Sequence, residues 1–347
     1  MVVDQLVITR PDDWHVHLRD GLALRHTVRA TAQCFSRALV MPNLDPPVVT
    51  TEQALAYRQR ILAEIPVGNA FQPLMTLYLT EETSPEEIQT AKASGAIYAV
   101  KLYPAGVTTH SSAGVCNLER TYRVLEALEA HDLPLLIHAE VADPQVDVFD
   151  REQIFVERQL MPLVERFPGL RVVVEHITTT EAIDFVRDAP IRVAATITAH
   201  HLLMNRNVLF QEGMQPHHFC APILQRERHR RALIRAAISG SPKFFLGTDS
   251  APHPKAAKEC ACARAGIYTA PSALGLYAEV FEAVGSLDRL EAFSSHYGAY
   301  FYGLPRNLNT LCLQRTPTAV PSELDLGDDV VVPFRAGGTV AWTAMTS

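Results

Sequence analysis

His15 and His17 stand two positions apart in the run Asp13-Trp14-His15-Val16-His17-Leu18-Arg19-Asp20. In an extended strand, side chains at i and i+2 share a face, so this spacing aims both imidazoles into one space. Neutral imidazole is a common metal ligand, and two rings on one face are the beginning of a metal site. Among 14 histidines a bare His-x-His carries little, so the rest of the chain has to be searched for partners. Eight apolar, β-branched runs end in polar or liganding residues: 14–17, 38–43, 74–78, 99–103, 135–138, 172–176, 194–198 and 244–249. At or beside their ends stand Asn43, Lys101, His138, His176 and Asp249, together with the two histidines that began the search.

Continuous apolar runs without alternation suit strands buried on both faces, as in a parallel sheet. Helix signals lie between them. Ser84-Pro85-Glu86-Glu87 combines a capping box with proline at the first helical position, and Thr178-Thr179-Thr180-Glu181 is a second box. Asp150-Arg151-Glu152-Gln153 opens the apolar periodicity of 154–164. Strand then helix, repeated eight times, predicts an α/β fold of the (β/α)8 TIM-barrel type, whose C-terminal strand ends meet at one mouth. No glycine-rich phosphate loop follows the first strand, which argues against a doubly wound nucleotide-binding fold.

At that mouth four imidazoles and a carboxylate exceed what one tetrahedral ion needs with a water position open, so the count favours a binuclear centre. Lys101 is the awkward member. An ammonium has no lone pair to give a cation, whereas a carbamate formed from the amine and carbon dioxide would be an anion with two oxygens.

The bulk numbers exclude other classes. A net charge of -7 and a pI near 6.1 argue against nucleic acid, and the basic cluster 226–235 reads as the solvated side of a helix. No apolar run is long enough to span a membrane, and the opening residues lack the pattern of a secretion signal, so a cytoplasmic protein is expected. Six scattered cysteines read as reduced thiols, the Cys260-Ala261-Cys262 pair included. One barrel domain is expected over 1–347, with a tail, 317–347, packing on it.

Several strings are long enough to carry a resemblance over nearly the whole chain: 10–20 (Arg-Pro-Asp-Asp-Trp-His-Val-His-Leu-Arg-Asp), Met41-Pro42-Asn43-Leu44, Lys101-Leu102-Tyr103-Pro104-Ala105, Glu175-His176-Ile177-Thr178-Thr179, and 245–253 (Phe-Leu-Gly-Thr-Asp-Ser-Ala-Pro-His). In these the chain resembles the type II bacterial dihydroorotases of the amidohydrolase superfamily. The resemblance implies two Zn2+ per subunit. His15, His17 and Asp249 would hold the more buried ion and His138 and His176 the more exposed one, with carboxylated Lys101 and a hydroxide bridging both. It implies that Arg19, Asn43 and His253 hold a substrate carboxylate, that Thr108 and Thr109 belong to a mobile loop over 105–114, and that His138 and the backbone at Ala221 and Ala265 also meet substrate.

The implied reaction is the reversible closure of N-carbamoyl-L-aspartate to L-dihydroorotate in de novo pyrimidine synthesis, by a homodimer. Hydroxide would be the hydrolytic nucleophile, and Asp249 the general acid and base. Ala221 stands where a leucine is usual, and Gly106 where a bulkier polar residue is usual, which is expected to loosen the loop. A hydantoinase or allantoinase-like enzyme is the nearest rival, but its neutral rings have no carboxylate for Arg19, Asn43 and His253 to hold. A non-catalytic assembly protein on the same scaffold would be expected to have lost ligands.

Overall fold

The computed structural model describes residues 4–345. The opening residues, read as lacking a secretion signal, and the last two of the tail lie outside that range. A first strand, β1 (Gln5–Thr9), precedes eight parallel strands: β2 (Asp12–Val16), β3 (Arg37–Val40), β4 (Gln72–Tyr78), β5 (Ile97–Leu102), β6 (Leu135–Ile137), β7 (Val172–Val174), β8 (Val193–Ile197) and β9 (Phe244–Leu246). The eight pair in sequence order, and the ring closes where Val16 bridges Ser250 and the Asp249 N–H donates to His15 O at 2.8 Å. This is the expected (β/α)8 barrel, each strand coinciding with one of the eight apolar runs.

Both faces of these strands are apolar because each face packs on something different. Leu39, Leu74, Ala99, Leu136, Val173, Ala194 and Phe245 point inward and fill the lower barrel with Trp14, which stacks on Tyr302 at a ring separation of 4.5 Å. Their neighbours Ala38, Val100, Leu135, Ile137, Val172 and Val174 point outward and pack under the helices. The period of two then dictates what reaches the mouth. Two positions above Ala99 is Lys101, above Leu136 is His138, above Val173 is Glu175, and above Ala194 is Thr196. Strand β2 departs from this phase. Its register shifts between Asp13 and Val16, and that irregularity turns His15 into the barrel beside His17.

Ser84 caps the helix Pro85–Ser94 through the Glu87 N–H, as the sequence predicts. The second box is displaced by one residue. Thr179 caps Thr180–Asp188, while Thr178 gives its N–H and hydroxyl to Glu152. Asp150 makes no side-chain cap, so the helical stretch 151–166 is anchored instead by buried Glu152 and passes through a π turn over Val156–Leu160. The basic run lies in the helix Glu227–Ala237, with Glu227 paired to Arg230 and Arg231.

Just before the tail, β10 (Thr310–Gln314) pairs antiparallel with β1 and with the tail strand Thr343–Met345. Trp342 is buried, and its indole N–H donates to Glu282 at 3.0 Å.

Candidate active site

The bulge in β2 and the end of β9 bring three acceptors together. His17 Nε2 lies 3.0 Å from Asp249 Oδ1, His15 Nε2 lies 3.4 Å from the same oxygen, and the two Nε2 atoms are 3.3 Å apart. Buried lone pairs do not gather this closely without a proton or a cation between them, and the trio is within ligand range of a common point. Glu175 sets the orientation. Its Oε2 takes the His15 Nδ1 proton at 2.7 Å, which leaves Nε2 as the liganding nitrogen, and it also accepts from Thr196 Oγ1 at 2.6 Å. A carboxylate behind the imidazole is the usual support of a metal-ligating histidine.

His176 and His138 continue the arc, with ring separations of 5.0 Å from His15 to His176 and 4.8 Å from His176 to His138. His138 Nε2 meets Glu140 at 2.6 Å, so Nδ1 is the nitrogen left for a ligand. Lys101 is fully buried, and its Nζ has no hydrogen-bond partner among the described residues and lies 5.0 Å from the centre of the Tyr103 ring. Burial pushes its pKa down to about 8. The same desolvation lowers His17 to about 4 and His176 well below the ordinary range, so both rings are neutral ligand forms. For Asp249 burial acts upward, but its close contacts with His15 and His17 outweigh it and hold the carboxyl well below its usual range. Arg19, His176 and Asp249 all adopt left-handed backbone, with φ of 59°, 42° and 45°, a strain that clusters at working sites.

Above this set lies a second group. Arg19 donates through Nε to Pro252 O at 2.9 Å, and its Nη2 is 3.0 Å from His253 Nε2. That ring nitrogen is also 3.0 Å from Ala265 O. One nitrogen cannot accept from arginine and donate to a carbonyl at once, so an arriving anion that engaged Arg19 would leave His253 free to donate. Asn43 Nδ2 donates to Thr109 O at 3.1 Å, and Thr109 Oγ1 donates to Ala265 O at 3.3 Å, so the loop 105–114 lies across the mouth.

The loop is internally ordered, with Gly106 N donating to Ser111 O and Val115 N to Tyr103 O. Gly106 has φ of 80° with open space around its Cβ position, so it makes the turn and does not merely loosen the segment. Beneath the closed loop the cavity measures about 20 Å³, room for roughly one water, so any larger ligand requires the loop to lift.

His15, His17, Arg19, Asn43, Thr108, Thr109, His138, His176, Ala221, Asp249 and Ala265 all line this space. Lys101 and His253 are not part of that lining but meet residues that are, Tyr103 and Ala265 respectively. Sequence reasoning missed Glu175, Glu140, Thr196 and the cavity-lining Tyr103, although the inward phase of β7 and β8 points to the first and third. Another buried trio, His200, His201 and Cys220, lies within mutual ligand range. There His201 Nε2 and Cys220 Sγ both hydrogen-bond Pro222 O, at 3.0 and 3.3 Å, which ties down the backbone next to Ala221.

A TIM barrel whose mouth gathers histidines, a lysine and an aspartate from different strands has the architecture of metal-dependent hydrolases. The chain belongs to the amidohydrolase family, whose model matches residues 8–336. Over 97% of its length it is 60% identical to the dihydroorotase of Methylobacillus flagellatus, covering 98% of that protein. The structure of dihydroorotase from Saccharomyces cerevisiae in complex with 5-fluoroorotic acid superposes with a TM-score of 0.91 at 32% identity, covering 99% of both chains. The L-hydantoinase of Arthrobacter aurescens shares the fold, with a TM-score of 0.80 at 16% identity over 98% of this chain and 84% of that one.

Proposed function

We propose that the chain is a dihydroorotase that interconverts N-carbamoyl-L-aspartate and L-dihydroorotate in de novo pyrimidine synthesis. The observation that carries this reading is the stacking of two groups in one mouth. The histidine and aspartate set below suits a metal, and the Arg19, His253 and Asn43 group above suits a carboxylate on a small ring. The relative solved with 5-fluoroorotic acid, itself a ring carboxylate, supports the same ligand class.

The residues fit a binuclear zinc centre. His15, His17, His138, His176 and Asp249 offer the donors, and Lys101 offers a buried, unpaired amine whose lowered pKa favours carboxylation by carbon dioxide. When bound, such ions bring a water's pKa down to about 7 and polarise a carbonyl. The chain's own residues do the rest. Arg19 presents a planar fork to the substrate carboxylate and fixes the ring over Asp249. Asp249, already ionised, takes a proton as water adds to the ring carbonyl. It delivers that proton to the ring nitrogen as the C–N bond breaks. Thr109 and the closed loop exclude bulk water during the exchange.

Ring opening converts one carboxylate into two and releases a proton, so ring closure consumes one. The equilibrium therefore shifts toward the ring as pH falls. Because opening needs a deprotonated nucleophile and an ionised Asp249 while closure needs the proton on Asp249, the opening rate is expected to rise toward alkaline pH and the closing rate to fall. The resemblance further supports a single barrel domain over the whole chain and a cytoplasmic homodimer.

The test is a comparison of L-dihydroorotate with hydantoin and allantoin as substrates of the purified, metal-loaded protein. Turnover confined to L-dihydroorotate is the expected result. Comparable rates on the neutral rings would make the chain a hydantoinase-like enzyme and the carboxylate clamp incidental.

A further inference from the structure

Lys258 closes the short helix Lys255–Lys258 and is buried, with 3% of its surface exposed. No carboxylate pairs with it among the described residues. Its Nζ instead donates to three backbone carbonyls, Phe219 O at 2.7 Å, Arg264 O at 2.9 Å and Gly266 O at 2.7 Å, and lies 5.7 Å from the centre of the Phe219 ring. Burying an ammonium without a counter-ion is costly, and here every N–H is matched to one carbonyl.

The acceptors are not scattered. Arg264 O belongs to the peptide entering Ala265 and Gly266 O to the peptide one residue beyond it, so the two bonds bracket Ala265. Phe219 lies two residues before Ala221, and Gly266 N donates to the same Phe219 O at 3.0 Å. A side chain at Gly266 would meet Ala251 O at 2.6 Å, so the crossing of these segments is tight. Ala265 O is the atom that both Thr109 Oγ1 of the loop and His253 Nε2 approach, and Ala221 and Ala265 both line the cavity, which Lys258 does not reach.

We propose that Lys258 is a positioning residue for substrate recognition. It locks the two backbone segments that carry Ala221 and Ala265, so that the loop and the carboxylate clamp close on the ligand in register. The inference rests on the dihydroorotase reading, which places substrate against those two residues.

Lys258→Met keeps length and burial but removes every donor. In the variant the KM for L-dihydroorotate should rise by about tenfold or more, the loss expected for charge-assisted hydrogen bonds, with inhibition by orotate weakened in parallel. The kcat should change by less than about threefold, and zinc content and melting temperature should stay near wild type. Lys258→Arg, which restores a cation with N–H donors, should recover part of the KM. An unchanged KM, a fall in kcat alone, or loss of metal would overturn the proposal. If Lys258→Met does not fold, Lys258→Gln is measured in its place; failure of both to fold makes the residue a global anchor and also overturns it. A wild-type protein inert toward L-dihydroorotate overturns the functional reading itself, and this proposal with it.

Discussion

The two ends of the barrel treat buried lysine, arginine, histidine and carboxylate groups in opposite ways. At the N-terminal end Asp12 is matched by Arg37, whose Nε donates at 2.9 Å, and by Asn307 Nδ2 at 2.8 Å, while Arg37 also donates to Pro305 O at 3.0 Å. At the C-terminal end Lys101 Nζ, His17 Nδ1, His176 Nδ1 and Glu175 Oε1 are buried with no hydrogen-bond partner among the described residues. Each such group costs about 1–3 kcal/mol when left unmatched, so the mouth is an expensive arrangement that folding alone does not explain. Size points the other way. A concavity of 1110 Å³, lined by Arg10, Arg29, Arg37 and Arg306 among others, opens at the N-terminal end, against about 20 Å³ at the closed mouth. The lower barrel also leaves the Trp14 indole N–H and the Tyr302 hydroxyl without partners among the described residues, so it is unmet capacity in lysine, histidine and carboxylate groups, and not volume, that marks the end where chemistry happens.

If that contrast is right, substitutions at the two ends should fail differently. The largest effect is expected from Lys101→Ala, which should strip metal and abolish turnover, with small carboxylic acids restoring part of both. Full metal content and rate without them would remove Lys101 from the centre. Asp249→Asn comes next. Its amide cannot relay a proton, so both ring opening and closure should fall by about 10²–10⁴, and the opposed pH profiles should vanish in whatever metal-loaded enzyme remains. Near-normal turnover in both directions would reduce Asp249 to a ligand.

At the far end, Arg37→Met should cost stability by about 3–5 kcal/mol, because it strands the buried Asp12 carboxylate, yet leave kcat and KM of the folded fraction unchanged. Denaturation curves read beside kinetics decide this, and altered kinetics at full stability would break the contrast. Arg19→Lys is expected to be the mildest. It keeps the charge but loses the fork, raising KM by the equivalent of about 1.5–3 kcal/mol with metal content intact. An unaltered KM would show that the substrate carboxylate is held elsewhere.

The barrel was legible because each strand states its own burial. Runs such as Leu135-Leu136-Ile137-His138 are apolar on both faces and stop at a liganding residue, and that local signal survives without knowing the partner strands. Strand β1 was not legible in the same way. Gln5–Thr9 alternates weakly, and what makes it a strand is pairing with Thr310–Gln314 at the far end of the chain. Within the site, the residue types at the strand ends were readable, but their aim was not. The bulge that turns His15 inward and the left-handed backbone at His176 and Asp249 are responses to tertiary packing, with no trace in local composition. Glu175 was hidden beside the more conspicuous His176, although it holds the His15 ring in place. Lys258, in an ordinary Ala-Ala-Lys-Glu stretch, gives no sign in sequence that three carbonyls converge on it.

If the unmatched groups of the mouth hold metal for the opening and closing of a ring, metal and activity must come and go together. Metal analysis of the purified protein, with ring opening of L-dihydroorotate followed before and after chelation, tests it most directly. Close to two zinc-type ions per chain, lost together with activity and restored together on adding metal back, is the result expected. An active preparation with no bound metal would contradict the account.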